Sequence, residues 1–218
     1  MMAVLQIKNL PTGPGDDIKL DASYAVGDTK QVISTAATSP SFSMFGASGV
    51  AYQSIALGVT TDAVWLPIAS GGDGQLKLTT AWGVRGAFNH NWDPYWSTSL
   101  FGGYTSVRYD GAVGDLMSAK GIYCAAFALA HGGQGVTYTC DPSYNTAQLG
   151  VVTRWTPIKN LAFSAEIQWF HLDQRMGNGP GLGTSTSAFS PGAPKPAATY
   201  EFKDQNAVSL NVRVQRNF

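Results

Sequence analysis

Apolar and polar positions alternate with a period of two through most of the chain. From Ile18 to Val26 the apolar set Ile18, Leu20, Ala22, Tyr24 and Val26 shares one face, and Lys19, Asp21 and Ser23 share the other. Ile55, Leu57, Val59, Ala63 and Trp65 repeat the rule. From Gln75 the apolar register carries Leu76, Leu78, Thr80, Trp82, Val84 and Phe88, opposite Gln75, Lys77, Thr79, Arg85 and Asn89. Residues 96–109 are rich in strand formers, but Leu100 and Tyr104 fall in one register and Phe101 and Val107 in the other, so this strand has no preferred face. Leu149, Val151, Thr153 and Trp155 alternate with Gln148, Gly150, Val152 and Arg154, Pro157 to Asn160 predicts a tight turn, and Leu161, Phe163, Ala165, Ile167 and Trp169 alternate with Ser164, Glu166 and Gln168, which predicts a hairpin. The last strand sets Val208, Leu210, Val212, Val214 and Phe218 against Ser209, Asn211, Arg213, Gln215 and Asn217.

With a fragment near Val4 to Asn9, the pattern predicts about eight strands, several of them longer than the usual soluble length of about 5 to 6 residues. Strands of about 9 to 11 residues or more, with one apolar and one polar face, fit a transmembrane β-barrel, whose outer side meets lipid and whose inner side meets water. Tyr24, Trp82, Trp96, Trp155 and Trp169 stand at or near the ends of apolar registers, where an interfacial aromatic girdle is expected. Connections are brief at 10–16, 90–95 and 157–160 and long at 27–50, 110–145 and 173–199, the two-ended arrangement of outer-membrane barrels. Three crossings between residues 50 and 110 break that arrangement. Either the segment from Ala51 to Leu66 turns or stays outside the wall, or a further strand lies near Phe42 to Phe45.

Composition narrows the field further. Of 218 residues only 13% are Asp, Glu, Lys or Arg, about half the roughly 25% of ordinary soluble domains, while aromatics reach 11%. The 14 basic and 14 acidic residues cancel, which argues against a nucleic-acid partner. Uncharged runs such as Gln31 to Thr61 are interrupted by Ser, Thr, Gly and Pro, so no helix of membrane-spanning length is predicted. At the N-terminus a short apolar run meets Lys8 at once, and no export signal is visible. The first 26 residues read instead as a hairpin in mid-sheet, as in a mature or truncated piece of something longer.

Three stretches carry a family resemblance: GAFNHNWDPYWSTSLFGGYTSVRYDG (Gly86 to Gly111), TAQLGVVTRWTPIKNLAFSAEIQW (Thr146 to Trp169) and YEFKDQNAVSLNVRVQRNF (Tyr200 to Phe218). They resemble the porins of alphaproteobacteria, the family that includes the rhizobial and Brucella outer-membrane porins. The resemblance covers essentially the whole chain as the C-terminal half of such a porin, one domain without an internal boundary. It implies an all-β, antiparallel transmembrane barrel of sixteen strands, about eight of them here, assembled as a homotrimer when full length. It also implies a bacterial outer-membrane location, lipid and the outer-membrane assembly machinery as partners, and passive diffusion of small hydrophilic solutes and ions without a cofactor. Relative to such porins the chain lacks the N-terminal strands and the stretch that would carry the constriction loop. Eight strands alone would close around side chains rather than an open channel.

Candidate site residues follow from the two faces. Lys19, Asp21, Lys77, Arg85, Arg154, Glu166 and Arg213 occupy polar registers and are expected to line the pore, with rows of basic side chains favouring anions locally. Phe218 ends the chain in the apolar register and resembles the C-terminal signal read by the assembly machinery. Cys124 and Cys140 share one long loop. Zinc sites usually show closer Cys pairs or Cys with His, and His131 alone completes none, so a disulfide is favoured over a metal; it would stabilise the loop by about 3 kcal/mol.

Enzyme motifs are missing. His131, Gly132 and Gly133 have no accompanying nucleophile elbow. The alternating Gly177, Gly179, Gly181 and Gly183 do not form a phosphate-binding loop. His90 and His171 are too separated to demand a metal. A non-enzymatic protein is expected, with neither metal nor cofactor. The competing expectation is a soluble β-sandwich that binds carbohydrate through surface Trp and Tyr.

Overall fold

The structure is a computed structural model that describes residues 1–33, 41–47, 53–131, 139–177, 180–184 and 198–217. Phe218, Gly132, Gly133 and Gly179 lie outside the described residues. In chain order the elements are β1 (Met2–Lys8), β2 (Asp17–Val26), α1 (Lys30–Ile33), β3 (Ser41–Ala47), β4 (Gln53–Val59), β5 (Ala63–Trp65), β6 (Leu76–Leu78), β7 (Thr80–Asn91), β8 (Trp96–Arg108), α2 (Ala119–His131), β9 (Tyr144–Ile158), β10 (Leu161–Gln174), β11 (Pro180–Thr184), β12 (Ala198–Phe202) and β13 (Gln205–Arg216).

Seven strands form one antiparallel sheet in the order β1-β2-β7-β8-β9-β10-β13. This sheet is the wall of the molecule. Its short turns, 9–16, 92–95 and 159–160, all lie at one end, and the excursions 27–79, 109–143 and 175–204 leave from the other. Local chemistry explains the tight turns. Asn160 takes a left-handed φ of 68°, and the Asp93 carboxylate accepts the backbone N–H groups of Tyr95 (2.7 Å) and Trp96 (2.9 Å).

Two strand expectations are corrected. The run from Gln75 is not one strand: it breaks at buried Thr79, whose N–H is taken by the Asp62 carbonyl (2.9 Å), so β6 pairs with β5 and only β7 joins the wall. The run from Ile55 to Trp65 also leaves the wall. β4 instead pairs antiparallel with β3 and parallel with β12, in a second sheet of order β11-β12-β4-β3. With these segments removed the wall has seven strands, not about eight, and long and short connections alternate without exception among the described residues. Periodicity identifies a strand but not the sheet it joins.

The core sits at the long-connection end. Ala25, Ala81, Val107 and Tyr144 are consecutive partners across β2, β7, β8 and β9, and all four are buried. They point to the inner face, where Val32 of α1, Ala56 and Val59 of β4, Tyr109 and Ala119 cover them. Gly83 permits this approach, because a Cβ there would stand 3.1 Å from Val32 Cγ1. The other side of β4 offers Ile55 and Leu57 to Cys124, Phe127, Cys140, Met176 and Phe202. β4 is therefore buried on both faces, which explains its nearly continuous apolar run. The Tyr109 hydroxyl donates to the Val59 carbonyl at 2.7 Å, and burial pushes its phenol up to about 12. Thr29 Oγ1 donates to the Thr60 carbonyl at 2.9 Å. The described parts of the three excursions thus form one packed cap over one end of the wall's inner face.

Candidate functional site

Below the cap, the two faces of the wall differ in chemistry. On the outer face Leu100, Val151, Ile167 and Leu210 are aligned partners on β8, β9, β10 and β13, and each remains 40–67% exposed. No other described element covers them. A sandwich would bury this row against a second sheet, so the soluble-sandwich expectation fails here. The aromatic candidates share this face. Tyr24 and Trp82 are direct partners, Trp82 lies 5.7 Å from Tyr104, Trp96 stacks on Trp155 at 5.7 Å, and Trp169 stacks on His171 at 5.7 Å.

The inner face is polar and concave. A cavity of about 630 Å³ spans β2 to β10 and brings together Asp17, Lys19, Asn89, Phe101, Arg154 and Glu166, with Ser97 and Ser99 between them. Lys19, Arg154 and Glu166 therefore converge from distant parts of the chain. Asp21 and Arg85 are aligned partners one row nearer the cap. Arg213 lies on β13 in the row of Ser164 and Arg154. Lys77 is placed elsewhere: it sits on β6, outside the wall, 3.6 Å from Asp73.

Charge pairing offsets two of the expected basic side chains, Arg85 and Lys19. Arg85 donates twice to Asp21 Oδ1, from Nε at 3.0 Å and Nη2 at 2.8 Å, and Lys19 Nζ lies 3.3 Å from Asp17 Oδ2. Arg154 Nη1 donates to Ser99 Oγ at 2.8 Å, and Ser99 Oγ donates to Asn89 Oδ1 at 2.8 Å. Glu166 accepts from Asn211 Nδ2 at 3.2 Å. The surface is one of alternating donors and acceptors. Asp17 and Phe101 were missed from sequence. Asp17 continues the 19, 21 register by one step, but nothing in the 96–109 pattern marks Phe101 as inward.

At the turn end, Asp16 is fully buried beneath the β1–β2 turn. It accepts hydrogen bonds from Thr12 Oγ1 (2.6 Å), His90 Nδ1 (2.7 Å) and the Asn91 N–H (2.9 Å). The Thr12 bond above all, with the Asn91 and His90 contacts, outweighs burial and holds its carboxyl down at about 2. Cys124 and Cys140 form a disulfide with their Cα atoms 5.7 Å apart, tying α2 to the segment before β9.

Among the described residues no group of three or more His, Cys, Asp or Glu is placed to hold a metal, and no helix is long and apolar enough to cross a membrane. A mostly antiparallel sheet with one uncovered apolar face, one polar concave face and connections of two lengths defines a porin-like β protein. The family model described as the porin subfamily matches residues 1–211, and the chain belongs to that family. Membership carries a transport or channel role in a membrane setting, and the protein is not an enzyme. No curated protein and no solved structure matches the chain.

Proposed function

We propose that this protein forms wall and cap of an outer-membrane channel through which small hydrophilic solutes and ions diffuse passively. The observation that carries the proposal is the contrast between the uncovered apolar rows outside and the hydrogen-bonded polar concavity inside. Only a lipid exterior makes that outer face favourable, and only water makes the inner one so. Strand dimensions support it. Trp82 and Trp92 are ten residues apart and Trp96 and Tyr104 eight, which corresponds to about 34 Å and about 27 Å along the strand. A tilt of about 40° reduces these to about 26 Å and about 21 Å, bracketing an apolar band of about 25 Å. Tyr24, Trp82, Trp96, Trp155 and Trp169 then serve as interfacial aromatics.

The edges support a larger barrel. β1 and β13 occupy the first and seventh places in an antiparallel sheet and so run the same way. They cannot close on each other antiparallel, and closure takes an odd number of further strands. We place this sheet in the C-terminal part of a sixteen-stranded, trimeric barrel of the alphaproteobacterial kind, with Lys19, Asp21, Arg85, Arg154, Glu166 and Arg213 facing the lumen and Phe218 as the assembly signal.

Fractionation and electrophysiology test the proposal. The protein is expected to need detergent for extraction, to migrate faster on gels unheated than boiled, and, within the closed barrel, to give steady ohmic conductance in planar bilayers. Recovery as a monomer from the aqueous fraction, without a heat shift, overturns it.

A further inference from the structure

Besides Ala87, two apolar side chains line the inner-face cavity outside both core clusters: Val152, which is buried in the wall, and Phe101, whose larger and only partly buried ring the channel architecture does not explain. Inward-facing Val107 and Tyr144 belong to the core beneath the cap, and Phe170 packs against it. Phe101 belongs to neither core cluster. It is only partly buried, at the middle of the wall, inside the polar cavity. Its aligned partners are Ala87 and Gly150, two of the smallest residues available. The ring lies across Gly150, where a Cβ would meet Phe101 Cζ and stand 2.8 Å from Cε2. Glycine at that position lets an aromatic plate lie along the wall rather than stand off it.

Around the plate are two acids, Asp17 and Glu166, and two bases, Lys19 and Arg154, with the Asn89 amide between them. Their formal charges cancel. A patch of this kind offers an apolar plane for C–H groups and, at its rim, both donors and acceptors for hydroxyls, with no net field to select an ion. We propose that the cavity around Phe101 is a weak binding subsite for neutral polyhydroxylated solutes, that is, small sugars, which stack on the ring and exchange hydrogen bonds with Asp17, Asn89, Arg154 and Glu166. This deepens the channel proposal and rests on it, since it names the solute class that the inner face holds during passage.

The test uses the full chain in a zwitterionic detergent without sugar headgroups, with maltose as probe and gluconate and glucosamine as charged comparators, followed by saturation-transfer NMR. Maltose is expected to bind in the millimolar range and at least threefold more tightly than either charged comparator. Phe101→Leu, which keeps apolar volume but removes the aromatic plane, is expected to weaken binding at least fivefold, and Phe101→Tyr to restore it to within twofold. Arg154→Gln and Glu166→Gln leave the ring in place and are each expected to weaken binding at least threefold. Unchanged maltose binding by Phe101→Leu and both Gln variants overturns the inference, as does absence of binding or equal binding of gluconate. Vesicle insertion is scored on the same preparations. Protein that inserts but ignores maltose removes the subsite and leaves the channel, whereas protein that binds maltose without inserting removes the channel.

Discussion

Arg85 Nη2 lies 2.8 Å from Asp21 Oδ1 across the β2–β7 ladder, joining residues separated by 64 positions in sequence. The pair makes the inner wall locally neutral where single side chains would have suggested a basic strip. Both groups are partly exposed, so its contribution to stability is small, about 0 to 1 kcal/mol. Its consequence is electrostatic.

Asp21→Asn removes the negative partner and leaves Arg85 without it on the inner face. In the assembled channel, zero-current potentials measured across a KCl gradient are expected to move toward anion preference, with stability changed by no more than about 1 kcal/mol. An unchanged potential would place the pair outside the conduction path.

The two faces of one strand should respond oppositely to charge. Leu210→Lys puts an ammonium on the outer face and is expected to lower stability in phospholipid vesicles by about 2 to 4 kcal/mol if it lies near the bilayer centre. Ser209→Lys, on the inward register of the same strand, is expected to be near neutral. Equal effects in a denaturant titration would remove the assignment of faces.

Reducing the Cys124–Cys140 bond, or replacing both residues by Ala, is expected to destabilise the cap by about 3 kcal/mol. Because the cap has its own core around Phe127 and Phe202, proteolysis after reduction should cut within 109–143 first and leave the β9–β10 hairpin intact. Simultaneous loss of both would mean that cap and wall unfold as one unit.

Asp16 sets an acid limit at the turn end. Its carboxyl titrates at about 2 in the folded protein against 3.8 ordinarily, so the unfolded chain takes up this proton first. The stability it contributes is fully present above about pH 4 and is lost as pH falls from there through about 2. Asp16→Asn is expected to destabilise the protein at pH 7 and to flatten that acid dependence, as read by denaturant midpoints at pH 7 and pH 2.5. A variant with the wild-type acid slope would show that Asp16 is not its source.

Much of the wall was legible along the chain. The registers of β2, β9, β10 and β13 follow from alternation alone, because a half-buried or half-lipidic strand must change chemistry every residue. The cysteine pairing was also legible. β8 was not, and the reason lies in its inward side chains: Val107 meets the cap, while Phe101 lies on Gly150 within a polar cavity. Two environments on one face cancel the periodic signal.

By itself, then, the sequence determined that this is a strand protein of low charge with two chemically distinct faces and connections of two lengths, since these are properties of neighbours a few residues apart. Only the tertiary structure decided that β4, β5 and β6 leave the wall, that Asp21 neutralises Arg85, and that Asp17, Phe101 and Glu166 share one cavity. Those facts depend on which strand lies beside which. Backbone hydrogen bonding is the same for every pairing, so the choice is made by side-chain packing between segments distant in sequence, such as β4 between the two halves of its core.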